Sequence, residues 1–174
     1  MDKFISNNSN FLVYVIPIPI NKVYDAIEIK LDDPSYIVKC QIKVYGKYYN
    51  NLFANDVFDG QIVVSNYKLT NEKMRKVYFI KDGCPLEYYH DTGRYDNNGR
   101  RIYEEYIFGR IYSKSWFRGM IISVFRDNAL NKNEGWRVEG GWGGWDTQQG
   151  YCIVPNVTTR EEAINVLLKN KVIP

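Results

Sequence analysis

The sequence has little of what catalysis usually announces first. It contains one histidine and three cysteines in 174 residues. A histidine-based base, nucleophile pair or metal site would have to be built around His90 alone. Cys40, Cys84 and Cys152 are widely spaced, odd in number and without a C-x-x-C pair. That argues against a disulfide framework or a zinc site and fits a reducing compartment. There is no phosphate-binding loop, dinucleotide fingerprint or G-x-S-x-G nucleophile elbow. The glycines at 140, 141, 143 and 144 neither match phosphate-loop spacing nor open a helix. The longest apolar run, "FLVYVIPIPI" at 11–20, carries two prolines and is about half a membrane span. It also lacks the basic flank and small-residue cleavage site of a signal peptide. We therefore expect a soluble, cytoplasmic protein with no membrane partner. Charge of one sign is lacking too. The formal net charge is +3, from 23 basic against 20 acidic side chains, far from the excess of proteins that live on nucleic acid.

Two stretches come nearest to chemistry. His90 lies beside Asp91 in "EYYHDTGRYD", the pairing of a general base with an orienting carboxylate. Neighbours along a strand point to opposite faces, however, so the pair favours a polar hairpin over a catalytic dyad. Glu28 and Lys30 in "EIK" match the Glu-x-Lys half of a metal-dependent nuclease site, but Asp25 is too close in sequence to be its partner aspartate. No catalytic residue, metal ligand or cofactor is expected, and a nuclease or other hydrolase ranks third among the functions.

What is abundant is aromatic. Fifteen tyrosines raise the aromatic fraction to 16%, and Asn, Ile, Lys and Tyr exceed a third of the chain. All four have A/T-rich codons, which suits an A/T-rich bacterium, virus or mobile element. The elements read mostly as strands. "FLVYVI" (11–16) is β-branched and aromatic, with Pro17 and Pro19 marking an edge or exit. "AIEIKL" (26–31) alternates and ends in the turn "DDPS". In "YIVKCQIKVYG" (36–46), Val38, Cys40, Ile42 and Val44 share one face while Lys39, Gln41 and Lys43 share the other. That pattern predicts an antiparallel sheet with one wet side. Further strands are predicted at 60–69, 75–81, 119–127 and 151–156. Asp82-Gly83 and Asn98-Gly99 are hairpin signals. Residues 102–112 fit a strand or a short helix, and tyrosine and isoleucine favour strand. Helix is predicted at 158–170, with Thr158 and Glu161 as a capping box and Ile164, Leu167 and Leu168 as the apolar stripe. The fold class is α+β: one domain spanning 1–174, loose at 1–10, mainly antiparallel sheet with a docked C-terminal helix.

Two segments carry the candidate binding residues. In 87–118, tyrosines interleave with cations; Arg94, Tyr95, Arg100, Arg101, Tyr103 and Arg110 are the candidates. The mixture suits a protein interface, where tyrosine and arginine dominate the energy. It also suits stacking on nucleic acid. Five carboxylates in that segment hold its net charge to about +1, which favours protein. The second segment, "GWRVEGGWGGWDTQQG" (135–150), holds three of the four tryptophans and six glycines. Trp136, Val138 and Trp142 share one face by strand parity and suit a core; Trp142, Gly143, Gly144 and Trp145 suit either structural packing at a hairpin end or an exposed recognition tip. The leading expectation is a small intracellular, non-enzymatic binding or inhibitor protein with a protein partner. The alternative is a nucleic-acid-binding module using 87–118.

Overall fold

In the computed structural model of the protein, residues 16–51, 54–80, 83–125, 145 and 147–174 are described. Among them nine strands form one antiparallel sheet. They are β1 (Ile18–Lys30), β2 (Asp33–Tyr49), β3 (Val57–Val64), β4 (Lys73–Met74), β5 (Val77–Tyr78), β6 (Cys84–Tyr95), β7 (Arg101–Lys114), β8 (Arg118–Val124) and β9 (Tyr151–Pro155). A helix, α1 (Arg160–Lys169), follows β9. The spatial order is β4-β6-β7-β8-β9-β1-β2-β3-β5. The sheet curls into a half-barrel, so the expected α+β fold with a C-terminal helix is the observed one.

Curling needs places where a strand can bend, and glycines supply them. Gly46 and Gly60 face each other across β2 and β3. A Cβ on Gly60 would lie 2.7 Å from the Gly46 Cα and 2.7 Å from the Phe58 ring. The backbones approach there because neither residue has a side chain. The curl then brings the ends of the sheet together. Tyr88 on β6 donates its hydroxyl to the Ile62 carbonyl on β3 at 2.7 Å. The Gln61 carboxamide donates to Thr70 O at 2.8 Å and to Glu72 O at 2.5 Å, and accepts from Met74 N at 3.2 Å. One side chain thus replaces the missing ladder between β3 and the segment leading into β4.

Inside the half-barrel lies an aromatic core that includes Tyr48, Phe58, Tyr67, Tyr88, Phe108 and Phe117. The β7–β8 turn folds into it. Trp116 and Phe117 both have positive φ, 66° and 58°, a conformation that costs about 1–2 kcal/mol for each L-residue. Packing offsets that cost. Trp116 stacks on Tyr48 with centroids 5.4 Å apart, and Phe117 meets Phe58 edge-on at 4.8 Å.

A second apolar layer lies on the outside. Ile27, Ile29, Ile121, Cys152 and Val154 are covered there by Ala163, Leu167 and Val172. The stretch Ala26–Ile29 is consequently buried at every position, Ala26 toward the interior and Ile27 toward α1. Arg160 fastens the helix by donating to the carbonyls of Lys30 and Leu31, both at 2.7 Å.

Several predicted boundaries need correction. The capping box is Thr159 with Glu162, one residue later than read, and α1 starts at Arg160. Leu168 is exposed, and Ala163 takes its place on the docked face. The predicted strand 60–69 is β3 followed by a 3₁₀ turn over Lys68–Asn71, and 75–81 contributes only the short β5. Residues 102–112 are strand, as favoured. Residues 1–10 and most of the predicted strand 11–16 lie outside the described residues.

Candidate functional site

The β6–β7 hairpin outruns the sheet. β8 pairs with β7 from Gly109 to Lys114, and β4 reaches only Tyr88 and Tyr89 of β6. Beyond these, residues 90–95 and 101–104 have, among the described residues, only each other as ladder partners. They form a two-stranded ribbon.

Local chemistry stiffens this ribbon. At its tip the Asp96 carboxylate accepts from the backbone N–H of Asn98 and Arg100, both at 2.8 Å, and Gly99 takes φ 75°. The Asn98-Gly99 signal is thus realised. Between Asp91 and Tyr95 the ladder slips, and Thr92 donates to the Ile102 carbonyl at 2.8 Å. Gly93 N donates to Asp91 Oδ1 at 2.9 Å. That N–H, and then Arg101, hold the Asp91 carboxyl below the usual aspartate range.

The ribbon presents two faces. On one, Arg101 pairs with Asp91, and its guanidinium lies 5.8 Å from the centre of the Tyr95 ring. Tyr103, opposite Asp91, completes this face. Tyr95 and Tyr103 are 59% and 51% exposed, although each side chain is large and apolar in body. On the other face Arg94 pairs with Glu104 at 3.1 Å, and Tyr106 donates to Glu104 at 2.5 Å. Burial, followed by that hydrogen bond, pushes the Tyr106 phenol up to about 12. His90 lies on this second face, 3.7 Å from Glu72, so His90 and Asp91 do point apart.

The fold therefore gathers Arg94, Tyr95, Arg100, Arg101 and Tyr103 near the ribbon end. It does not bring Arg110 there. Arg110 sits opposite Pro85 and Ser123 in the body of the sheet, about 30 Å along the strand from Arg101. Of the tryptophan–glycine stretch, Trp136, Val138, Trp142, Gly143 and Gly144 lie outside the described residues. Trp145 is half-buried; it packs against the layer beneath α1 and donates Nε1–H to the Tyr151 carbonyl at 3.1 Å.

Sequence reasoning missed the role of Glu28. It is fully buried in the half-barrel, where Tyr36 and Tyr67 donate to its Oε1 at 3.0 and 2.9 Å. Burial first, and the carboxylate second, push both phenols well above the ordinary tyrosine range. Lys30 turns instead to Asp32 at 3.0 Å. A nuclease carboxylate must reach solvent, and Glu28 is fully buried in this geometry. Among the described residues no group of three or more His, Cys, Asp and Glu side chains is placed to hold a metal, and no helix is long and apolar enough to cross a membrane. The signal available in the sequence was the isolated glutamate at an inward-facing position of β1.

No protein-family model matches the chain, and neither a curated protein nor a solved structure matches it.

Proposed function

We propose that the protein is a non-enzymatic binding protein, of the inhibitor kind, whose β6–β7 ribbon docks on a protein partner. The observation that carries this reading is the pairing of exposed tyrosines with neutralised arginines. Between 91 and 105 there are four carboxylates (Asp91, Asp96, Glu104, Glu105) against three arginines, and two of those arginines are engaged by carboxylates. A ribbon charged in this way attracts a phosphate backbone poorly. Tyr95, Tyr103 and Arg101 are the residue types that carry protein interfaces, and here their geometry is set before a partner arrives. The reading includes a reducing compartment, which the three free and buried cysteines fit.

The test is capture of partners from host lysate by the wild type and by a Tyr95→Ala/Tyr103→Ala variant, each with and without nuclease treatment. The reading expects a partner that survives nuclease and is lost with the two tyrosines. Capture that disappears on nuclease treatment, or that is indifferent to both substitutions, overturns it.

A further inference from the structure

The ribbon is not the only exposed surface with aromatics and cations, and the second differs in charge. The outward face of β2 carries Lys39, Gln41, Lys43, Tyr45 and Lys47 in alternate positions, with Cys40, Ile42, Val44 and Tyr48 turned to the core. All three lysines are exposed. Among the described residues none of them has a carboxylate within ion-pair distance. The carboxylates nearest in register are already occupied. Asp25 accepts from the Gln41 carboxamide at 2.9 Å, and Asp59, opposite Lys47, pairs with Lys76 at 2.8 Å. Tyr45 stands between Lys43 and Lys47 with half its surface exposed (50%). At the Lys39 end the row runs into a groove of about 490 Å³. Ile27, Gln41, Asp25, Ser65 and Thr158 are among the residues lining it. That volume lies in the range of small-ligand sites.

We propose that this face binds single-stranded nucleic acid. Lys39, Lys43 and Lys47 contact phosphates, Tyr45 stacks on a base, and the groove receives a second base against the Asp25–Gln41 pair. Lys39 and Lys47 lie eight residue steps apart along the strand, or about 26 Å at the usual rise. That length suits a short site at the lower end of the range for sequence-tolerant single-strand binders, which combine a cationic track with stacking aromatics. Cationic charge alone would also attract an anionic membrane, but Tyr45 and the groove favour bases over headgroups. The surface is separate from the ribbon, so this proposal does not rest on the protein-partner reading.

The experiment is fluorescence anisotropy with labelled single-stranded DNA and RNA of about sixteen nucleotides, at two salt concentrations. Four proteins are compared: wild type, Lys43→Glu/Lys47→Glu, Tyr45→Ala and the ribbon control Arg94→Glu/Arg101→Glu. All the changed side chains are exposed; a Lys43→Gln/Lys47→Gln variant replaces the charge reversal if that one melts early. The proposal expects salt-sensitive binding by the wild type and by the ribbon control. It expects at least a tenfold loss in the double-lysine variant, with a log–log salt slope shallower by about 0.7 for each lysine removed. Tyr45→Ala is expected to lose about tenfold, which is the scale of one stacked base. No binding by the wild type at low salt overturns the proposal, as does loss confined to the ribbon variant. Tyr45→Ala binding at wild-type strength, with equal competition by phosphatidylserine vesicles, also overturns it, because the face is then an anionic-lipid surface.

Discussion

Tyr67 donates its hydroxyl to Glu28 across 39 residues of sequence and 2.9 Å of space. The bond ties the turn after β3 to the C-terminal part of β1, inside the aromatic core. A buried carboxyl deprived of a donor is left with an unsatisfied acceptor in a low-dielectric core. Tyr67→Phe is therefore expected to destabilise the protein by about 2 kcal/mol. Tyr36→Phe should cost less, because Tyr36 is only half-buried and water can take the place of its hydroxyl. Denaturant midpoints of the two variants and of Glu28→Gln check this. Equal and negligible losses would remove Glu28 as an anchor.

The same packing sets an alkaline limit. Burial is the first cause that raises the phenols of Tyr36, Tyr67 and Tyr88, so each keeps its proton in the folded chain well above the ordinary range. In the unfolded chain they titrate near 10. A raised folded-state value means that the stability is complete below pH 10 and is lost as pH rises above it. The expected result is an unfolding transition above about pH 10 in which buried tyrosinate absorbance appears together with loss of the sheet signal. Tyrosinate appearing gradually, with the sheet intact, contradicts it.

The sheet was legible where one face is wet. The alternation in β2 predicts its inward set, Cys40, Ile42 and Val44, because water on one side enforces a period of two. Where both faces are covered the period vanishes, as at Ala26–Ile29, and local pattern could not say that Glu28 points into a closed core. The capping box slipped by one because Thr158-Thr159 and Glu161-Glu162 offer two frames with identical chemistry. Docking of Ala163 and Leu167 onto β1 and β9 selects the later one. The Gly46–Gly60 crossing had no local signal, since it exists only once β2 and β3 are paired. On the ribbon, the mixture of tyrosine and arginine was legible, whereas the separation of Arg110 needed the register.

Glycine substitutions separate curl from backbone freedom. At Gly60 an added methyl meets the backbone of β2, which cannot swing aside. At Gly119 a methyl meets nothing within 4 Å, but φ is +63°. Gly119→Ala is expected to cost about 1–2 kcal/mol through conformation alone. Gly60→Ala should cost about 3 kcal/mol or more, by forcing β2 and β3 apart. Thermal unfolding orders the two, and a reversal would mean that the crossing is slack.

The helix cap makes an acid-side prediction. Glu162 accepts from the backbone N–H of Thr158 at 2.8 Å and of Thr159 at 3.2 Å. These donors, Thr158 first, lower its carboxyl below the ordinary glutamate range. A lowered folded-state value gives stability that is present above the unfolded pKa of about 4.3 and is lost as pH falls through the folded value. Wild type and Glu162→Gln should therefore differ at neutral pH and converge below about pH 4. Thr159→Ala, which removes the reciprocal bond, is expected to cost about 1 kcal/mol at neutral pH.

Trp145 distinguishes two uses of an indole. A recognition tip requires that Trp145→Ala leave folding untouched while weakening a partner. The geometry argues for a share in the fold. The ring is half-buried against the layer beneath α1, and its N–H is satisfied by the Tyr151 carbonyl. Behind it, burial pushes the Cys152 thiol up to about 12. Fully buried tryptophans cost about 3–5 kcal/mol on truncation to alanine, and a half-buried one should lose about 2 kcal/mol. Trp145→Phe should recover most of the packing while leaving the Tyr151 carbonyl without that donor, placing it between wild type and alanine. Unfolding midpoints of the two variants decide the matter. An alanine variant with an unchanged midpoint and weakened partner capture would assign the indole to the partner, and the helix layer would then stand without it.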